Sequence, residues 1–310
     1  MTIENTCTLS PEDIRRVKGM GFLHARGTNC FNARIITRNG YLNNKEMQAV
    51  TDAARRYGNG EIAMTTRLTL EIQGVPYENV EALQQDMAKE GLIVGGTGNK
   101  VRPVVCCKGS TCQYGLINTR ELALKIHDLF FLGYNTVALP HKFKIAVGGC
   151  PNNCVKPELN DVGIVGQRLA KVDNTLCRGC KVCVVEKNCP IHSATCVQST
   201  LSLGEECNHC GRCIGRCPFG VVTEVSSGCR VYLGGRWGKK TAVGKPMDKI
   251  FTQEEEVLQV VEKAILLFRE QGIKGERFAD TIARLGFSQV QSQLMADDLL
   301  ERKEAILKEA

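Results

Sequence analysis

Apolar residues recur along this chain with two periods, and the period changes wherever a capping residue, glycine or proline stands. Ser10-Pro11-Glu12-Asp13 sets a hydroxyl before a proline at the first helical position, with a carboxylate three residues after the hydroxyl, which predicts a short helix. Phe31, Ala33 and Ile35 then alternate with Arg34 and its neighbours, the pattern of a half-buried strand, and Gly40 allows a turn. Met47, Val50, Ala54 and Tyr57 return to helical spacing and stop at Gly58. Between Ile62 and Ile72 the alternation reads as one strand, with Met64, Leu68 and Leu70 on the apolar side and Thr65, Arg67, Thr69 and Glu71 opposite. Val80, Leu83 and Met87 before Gly91 predict a second helix.

This strand-helix-strand-helix succession is half of a ferredoxin-like α+β layer. Past the turn Gly95-Gly96-Thr97-Gly98 the pattern predicts a strand over Val101–Cys106, a helix over 117–131 and a strand over Lys142–Val147. In that last strand Phe143, Ile145 and Val147 share one face, and Lys142 and Lys144 the other. Arg34, Arg67, Lys142 and Lys144 are thus all opposite the apolar side of a strand, where single basic residues ordinarily face solvent. Toward the carboxyl end, Arg230–Leu233 reads as a strand leading into the basic loop Gly234–Lys240, and Glu254–Arg269 and 278–307 read as packing helices.

Composition narrows the class. The chain has 310 residues, 43% of them hydrophobic, which suits about two domains and excludes a disordered chain. No apolar run approaches the roughly 18 residues of a membrane span. Met1 to Pro11 carries Glu4 where a secretory signal is basic and then apolar, so a soluble cytoplasmic protein is expected. Forty Lys and Arg against 33 Asp and Glu leave a charge of +7 without the aromatic interleaving of a nucleic-acid binder. The 17 cysteines matter most: in a reducing compartment they are ligands before they are bridges, and ten of them lie between Cys177 and Cys229.

Their spacing is specific. Cys177-x2-Cys180-x2-Cys183-x5-Cys189-Pro190 is followed by Cys207-x2-Cys210-x2-Cys213-x3-Cys217-Pro218. Three thiolates at two-residue steps wrap one corner of a cubane, and the cysteine before proline serves the other cluster. Cys177, Cys180, Cys183 and Cys217 are therefore expected to hold one [4Fe–4S] cluster, and Cys207, Cys210, Cys213 and Cys189 another. The longer x5 step leaves Cys196 as a competitor to Cys189, with Pro190 favouring Cys189. Zinc needs neither the third cysteine step nor the Cys-Pro. Upstream, Cys106-x5-Cys112 and Cys150-x3-Cys154 could bring four more thiolates to a third cluster, with the adjacent Cys107 as an alternative to Cys106.

Here the chain resembles the sulfite and nitrite reductases. Cys106-x5-Cys112, then Gly149-Cys150-Pro151-Asn152-x-Cys154, is similar to that family's sirohaem and [4Fe–4S] signature, with His141-Lys142-Phe143-Lys144 ahead of it. Arg34 before Asn39-Gly40, and Thr65-Thr66-Arg67 after Gly58-Asn59-Gly60, resemble its two anion-binding arginine positions. The resemblance implies that Cys106, Cys112, Cys150 and Cys154 hold a cluster, with Cys154 bridging to the sirohaem iron, and that Arg34, Arg67, Lys142 and Lys144 line the substrate pocket. Within the family the chain looks most like the small anaerobic sulfite reductase form with an inserted ferredoxin domain.

The fold so implied is α+β: a ferredoxin-like substrate half over residues 1–90, a sirohaem and [4Fe–4S] domain over 91–170, an inserted bacterial-type 2[4Fe–4S] ferredoxin domain over 171–224, and a return strand with helices over 225–310. The implied activity is six-electron reduction of sulfite to sulfide at sirohaem, fed by three [4Fe–4S] clusters. Nitrite reduction and a non-catalytic electron-transfer role are the alternatives, and Lys144 speaks for sulfite. Since no flavin or nicotinamide motif is visible, the electron donor is expected to be a flavin or Fe–S subunit or a ferredoxin. A homodimer or hetero-oligomer is expected, with no nucleic acid and no membrane span.

Overall fold

The computed structural model describes residues 6–308, and the first residues of the stretch read for a secretory signal lie outside them. The chain divides into two compact units. The first holds the segment up to Cys106, Ala123–Ile145 and the segment from Glu262 onward, and the second holds Cys107–Leu122 and Ala146–Val261.

The first unit opens as its sequence predicts. The Ser10 hydroxyl accepts the Asp13 N–H at 3.0 Å and caps the helix Pro11–Gly19. Strands β1 (Phe22–His24), β2 (Cys30–Ile36), β3 (Ile62–Met64) and β4 (Leu70–Pro76) form an antiparallel sheet in the order β1-β2-β4-β3, and β5 (Ile93–Val94) pairs with the end of β2. Phe31, Ala33 and Ile35 of β2 are fully buried against the helices Asn44–Tyr57 and Val80–Lys89 through Val50, Ala54, Leu83 and Met87. The other face is polar, and Arg34 stands directly across from Glu71 of β4.

The single strand expected over Ile62–Ile72 is instead a hairpin, with Ile62 paired to Ile72 and Met64 to Leu70. Its turn is tied by the Thr65 N–H donating to the Thr69 carbonyl at 2.9 Å and by their hydroxyls 2.7 Å apart, with Leu68 at φ 59°. Threonine hydroxyls do here what glycine or proline usually does, so the alternation runs through the turn unbroken. The strand expected over Val101–Cys106 shrinks to β6 (Val105–Cys106), because Pro103 has no N–H for a ladder and Val101 makes a lone bridge to Phe143. The strand expected from Lys142 begins later, as β7 (Ile145–Gly148). The helix Thr119–Ile126 runs on as a π-turn over His127–Leu132.

The carboxyl-terminal helices begin with Glu254–Gln271, and the expected one or two beyond it are four: Phe278–Leu285, Phe287–Met295, Asp298–Glu301 and Lys303–Lys308. Phe143, Phe268 and Phe278 pack in a triangle with centroids 5.2 to 5.8 Å apart, all fully buried.

In the second unit, β8 (Val162–Val172) and β11 (Val222–Leu233) form a long antiparallel ladder flanked by β7 and β12 (Lys245–Phe251). Val172 pairs with Val222, so residues 173–221 leave and rejoin the sheet at one rung. That segment carries its own hairpin, β9 (Ala194–Val197) with β10 (Thr200–Leu203), and its Val185, Ala194, Leu201 and Val221 form a small core with Val222 of β11, ringed by cysteines. Among the described residues no helix is long and apolar enough to cross a membrane.

Phe278→Ala opens a cavity inside the aromatic triangle and is expected to cost about 3–5 kcal/mol, read as a lower urea midpoint at unchanged slope.

Candidate functional site

The polar face of the first sheet ends in a cavity of about 330 Å³ that collects basic side chains. Arg34, Arg67, Lys142 and Lys144 all line it, and so do Lys18 and Arg102, while among the described residues no Asp or Glu does. Each arrives by a local device. Arg34 lies on the outer face of β2 and donates to Glu71 Oε1 from Nε at 3.0 Å and Nη2 at 2.7 Å. Arg67 projects from the threonine-tied turn and donates to the Pro103 carbonyl at 2.6 Å. Lys142 and Lys144 flank buried Phe143, so the same packing that buries the ring turns both ammonium groups outward.

Arg102 and Lys18 were not among the residues singled out by sequence. Arg102 donates to the Gly96 carbonyl at 2.6 Å, and Arg34 Nη1 reaches the same oxygen at 3.4 Å, so one acceptor draws two guanidinium groups together. Gly96 sits at φ 72°, and a Cβ there would lie 2.7 Å from Pro103 and 2.8 Å from Ile36, so only glycine presents that carbonyl. Burial first, then Arg34 and Arg277, lowers the Arg102 pKa to about 10, and its Nε is buried without a hydrogen-bond partner among the described residues. Burial, with Lys142, Arg277 and Arg102, likewise keeps His141 below its ordinary value, and its Nδ1 accepts the Lys142 N–H at 2.8 Å. A site of this kind is short of negative charge, and a small oxyanion supplies both the charge and the acceptors. The one signal for Arg102 in the sequence is an arginine directly before the proline that breaks a strand.

The second unit gathers thiols into three groups. In the first, Cys107, Cys112 and Cys154 surround Cys150, whose ionisation is opposed by burial and by those three sulfurs. Cys106 stands apart from this group. It is buried and donates its S–H to the Asn39 carbonyl at 3.5 Å, whereas Cys107 Sγ accepts the Gly149 N–H at 3.1 Å. Adjacent side chains on an extended backbone point to opposite sides, so only one of the pair can face the Cys150 loop. The two loops meet at Gly109 and Gly149, where a Cβ on either would lie under 3.0 Å from the other's Cα.

In the second group Cys189 and Cys213 lie together with Cys207 and Cys210. Burial opposes ionisation of Cys189, but backbone N–H groups of Ile191, His192, Ser193 and Ala194 outweigh it and lower the thiol. Such a nest is built for a thiolate. In the third group Cys177, Cys180, Cys183 and Cys217 line one hollow, and Cys196 lines it too. The first two groups supply four sulfurs each and the third five, enough in each case for the four thiolates that an iron–sulfur cluster takes. A wider cavity of about 630 Å³ is lined by Cys150 and Asn152 on one side and by Cys210, Arg212 and Arg216 on the other. The basic loop Gly234–Lys240 leaves Trp237 63% exposed, with Lys156 Nζ 5.8 Å from the ring centre.

Sequence comparison matches residues 97–302 to the profile of the nitrite and sulphite reductase 4Fe-4S domain, and residues 24–90 to the nitrite/sulfite reductase ferredoxin-like half domain. The coenzyme F420-dependent sulfite reductase of Methanocaldococcus jannaschii is 31% identical over 252 residues, covering 80% of this chain and 39% of that protein. An anaerobic sulfite reductase subunit of Salmonella typhimurium is 30% identical over 166 residues, 47% of this chain and 45% of that one. The chain thus spans less than half the length of either. Its fold matches the crystal structure of dissimilatory sulfite reductase I with a TM-score of 0.67 at 21% identity, over 86% of this chain and 69% of that one.

Arg102→Met keeps the volume and removes a buried charge. In wild-type protein, added sulfate or sulfite is expected to raise the thermal unfolding midpoint, and in the variant that rise is expected to shrink while the anion-free midpoint does not fall.

Proposed function

The chain belongs to the nitrite and sulphite reductase 4Fe-4S family, and from that premise we propose that it is the sirohaem-bearing part of a sulfite reductase, reducing sulfite to sulfide. The observation that carries this reading is the convergence of Arg34, Arg67, Arg102, Lys142 and Lys144 on one cavity that no carboxylate lines. Bound sirohaem and its clusters would supply the iron centre and the stored electrons for a six-electron reduction.

The side chains have electrostatic and proton-handling work to do. The guanidinium groups of Arg34, Arg67 and Arg102 hold the sulfite oxygens by charge-assisted hydrogen bonds and keep their protons at every relevant pH. Lys142 and Lys144 are the side chains able to release a proton to a departing oxygen, and they regain it from water. Glu71 fixes Arg34 in place across the β2–β4 register. The second lysine, Lys144, favours sulfite over nitrite as the substrate, in line with the sulfite reductases among the relatives.

We assign Cys107, Cys112, Cys150 and Cys154 as the residues that would hold the cluster coupled to sirohaem, with Cys154, the exposed member, the one that would also serve the sirohaem. Residues 171–224 form the inserted two-cluster ferredoxin domain, between a ferredoxin-like half over 1–90, a cofactor domain over 91–170 and the return strand and helices over 225–310. The group containing exposed Cys180, beside exposed Val182 and Phe219, would hold the cluster open to an electron donor. The Cys189 group, whose Cys210 shares a cavity with Cys150, would hold the cluster that faces the sirohaem-coupled site. The donor is a flavin or Fe–S protein, and the active assembly is a dimer of this chain or a complex with the donor.

Anaerobic protein should show a reduced-porphyrin spectrum, iron and acid-labile sulfide for three clusters, and sulfide release from sulfite with methyl viologen as reductant. Iron for two clusters without the porphyrin would leave an electron-transfer protein instead. Cys107→Ser is expected to remove one cluster and the sirohaem, and Cys106→Ser to remove neither. The opposite result, read by iron content and absorption, would return Cys106 to the ligand set. Lys144→Asn is expected to lower sulfite turnover about tenfold or more and nitrite turnover less, while equal losses would remove the case for sulfite.

A further inference from the structure

Five sulfurs, not four, surround the hollow lined by Cys177, Cys180, Cys183 and Cys217. The fifth, Cys196, lines the same hollow from β9. A [4Fe–4S] cubane takes four thiolates, so one sulfur at this site is not a ligand.

The backbone distinguishes the odd one. Cys177, Cys180, Cys183 and Cys217 lie on loops and turns that can adjust to a cluster, whereas Cys196 lies inside β9, held opposite Leu201 of β10. The first three belong to one run with two-residue steps, and Cys217 precedes Pro218 at the end of the other run. Cys196 belongs to neither run. The rival role for Cys196, replacing Cys189, is removed by position, since Cys189 lies with Cys213 in the other group.

We propose that Cys196 is a non-ligating thiol that donates its S–H to the ligand sulfur of Cys177 or Cys183 and raises the reduction potential of the cluster held there. This rests on the assignment of that group as a cluster site made under Proposed function. Hydrogen bonds to cluster sulfurs stabilise the more negative, reduced state and are among the main determinants of potential. A donor fixed on a strand keeps its geometry in both oxidation states, because β9 is pinned by the ladder and by the small core around Leu201. Cys196 is therefore a positioning residue for electron transfer at the outward cluster.

The test is a potentiometric titration followed by electron paramagnetic resonance on the full chain, reconstituted anaerobically, comparing wild type with Cys196→Ala and Cys196→Ser. Iron and acid-labile sulfide should be equal in all three. One ferredoxin-type signal should titrate at lower potential in Cys196→Ala and return toward the wild-type value in Cys196→Ser, whose hydroxyl keeps a donor, while the other cluster signals stay in place. Loss of one cluster's iron in Cys196→Ala alone would make Cys196 a ligand, and Cys217→Ser keeping its iron would make the same point from the other side. Unmoved potentials in Cys196→Ala would make it a packing residue. If wild-type protein itself shows no pair of ferredoxin-type clusters, the functional assignment of the insert falls first, and this inference falls with it.

Discussion

Two guanidinium groups, Arg34 and Arg102, reach for one carbonyl oxygen, that of Gly96, in a cavity that no carboxylate lines. Like charges repel and burial strips their water, and for Arg102 the combined penalty is roughly 3 kcal/mol against the charged form. The first unit is arranged to bear it. Val50, Leu83 and Met87 hold one face of the sheet, leaving the other free for charge. Glu71 answers Arg34 from the next strand, the glycine turn supplies backbone acceptors, and the Phe143 triangle anchors the segment carrying both lysines. An anion bound there relieves the repulsion, so binding strength comes from a cost already carried by the folded chain.

The second unit solves a different problem, keeping many thiols close without letting them collapse into a core. Its sulfurs sit on short loops at the ends of a rigid ladder, and the backbone at those loops is irregular: Asn153, Lys156 and His209 all take positive φ. Where a sulfur is meant to be ionised, amide N–H groups point at it, as around Cys189. Where none do, burial keeps the proton on, as for Cys229, whose pKa is pushed up to about 12. Cys189 and Cys229 thus mark the two extremes of what the surrounding backbone and burial do to a thiol here.

Much of this was legible in the sequence because it depends on spacing. The helix caps at Ser10 and Asn43, the β2 alternation and the two cysteine runs are local patterns, and the structure contains each of them. What was not legible depends on which way a side chain turns after a bend. The Thr65–Thr69 turn hid inside a perfect alternation, because its hydrogen bonds come from hydroxyls that suit a strand equally well. Cys106 and Cys107 differ by one residue, and counting cannot tell which side of β6 faces the second loop. Arg102 was missed for want of any periodic partner, although it lines the cavity and burial lowers its pKa to about 10. The long strand β8 escaped notice because it is buried on both faces at its start and shows no alternation there.

The closing rung at Val172 and Val222 has a consequence for how such a chain could have come about. A segment that departs and returns at neighbouring positions of one ladder adds no strain to the sheet that carries it, since a tight hairpin turn would join the same two residues equally well. Residues 173–221 also bring their own thiols and most of a small core, which they complete with Val222 of β11 and with Ala170 and Val172 of β8. Acquisition of the whole segment, or its loss, is then a single genetic event that leaves the host sheet in register, and lineages with and without it can share one scaffold.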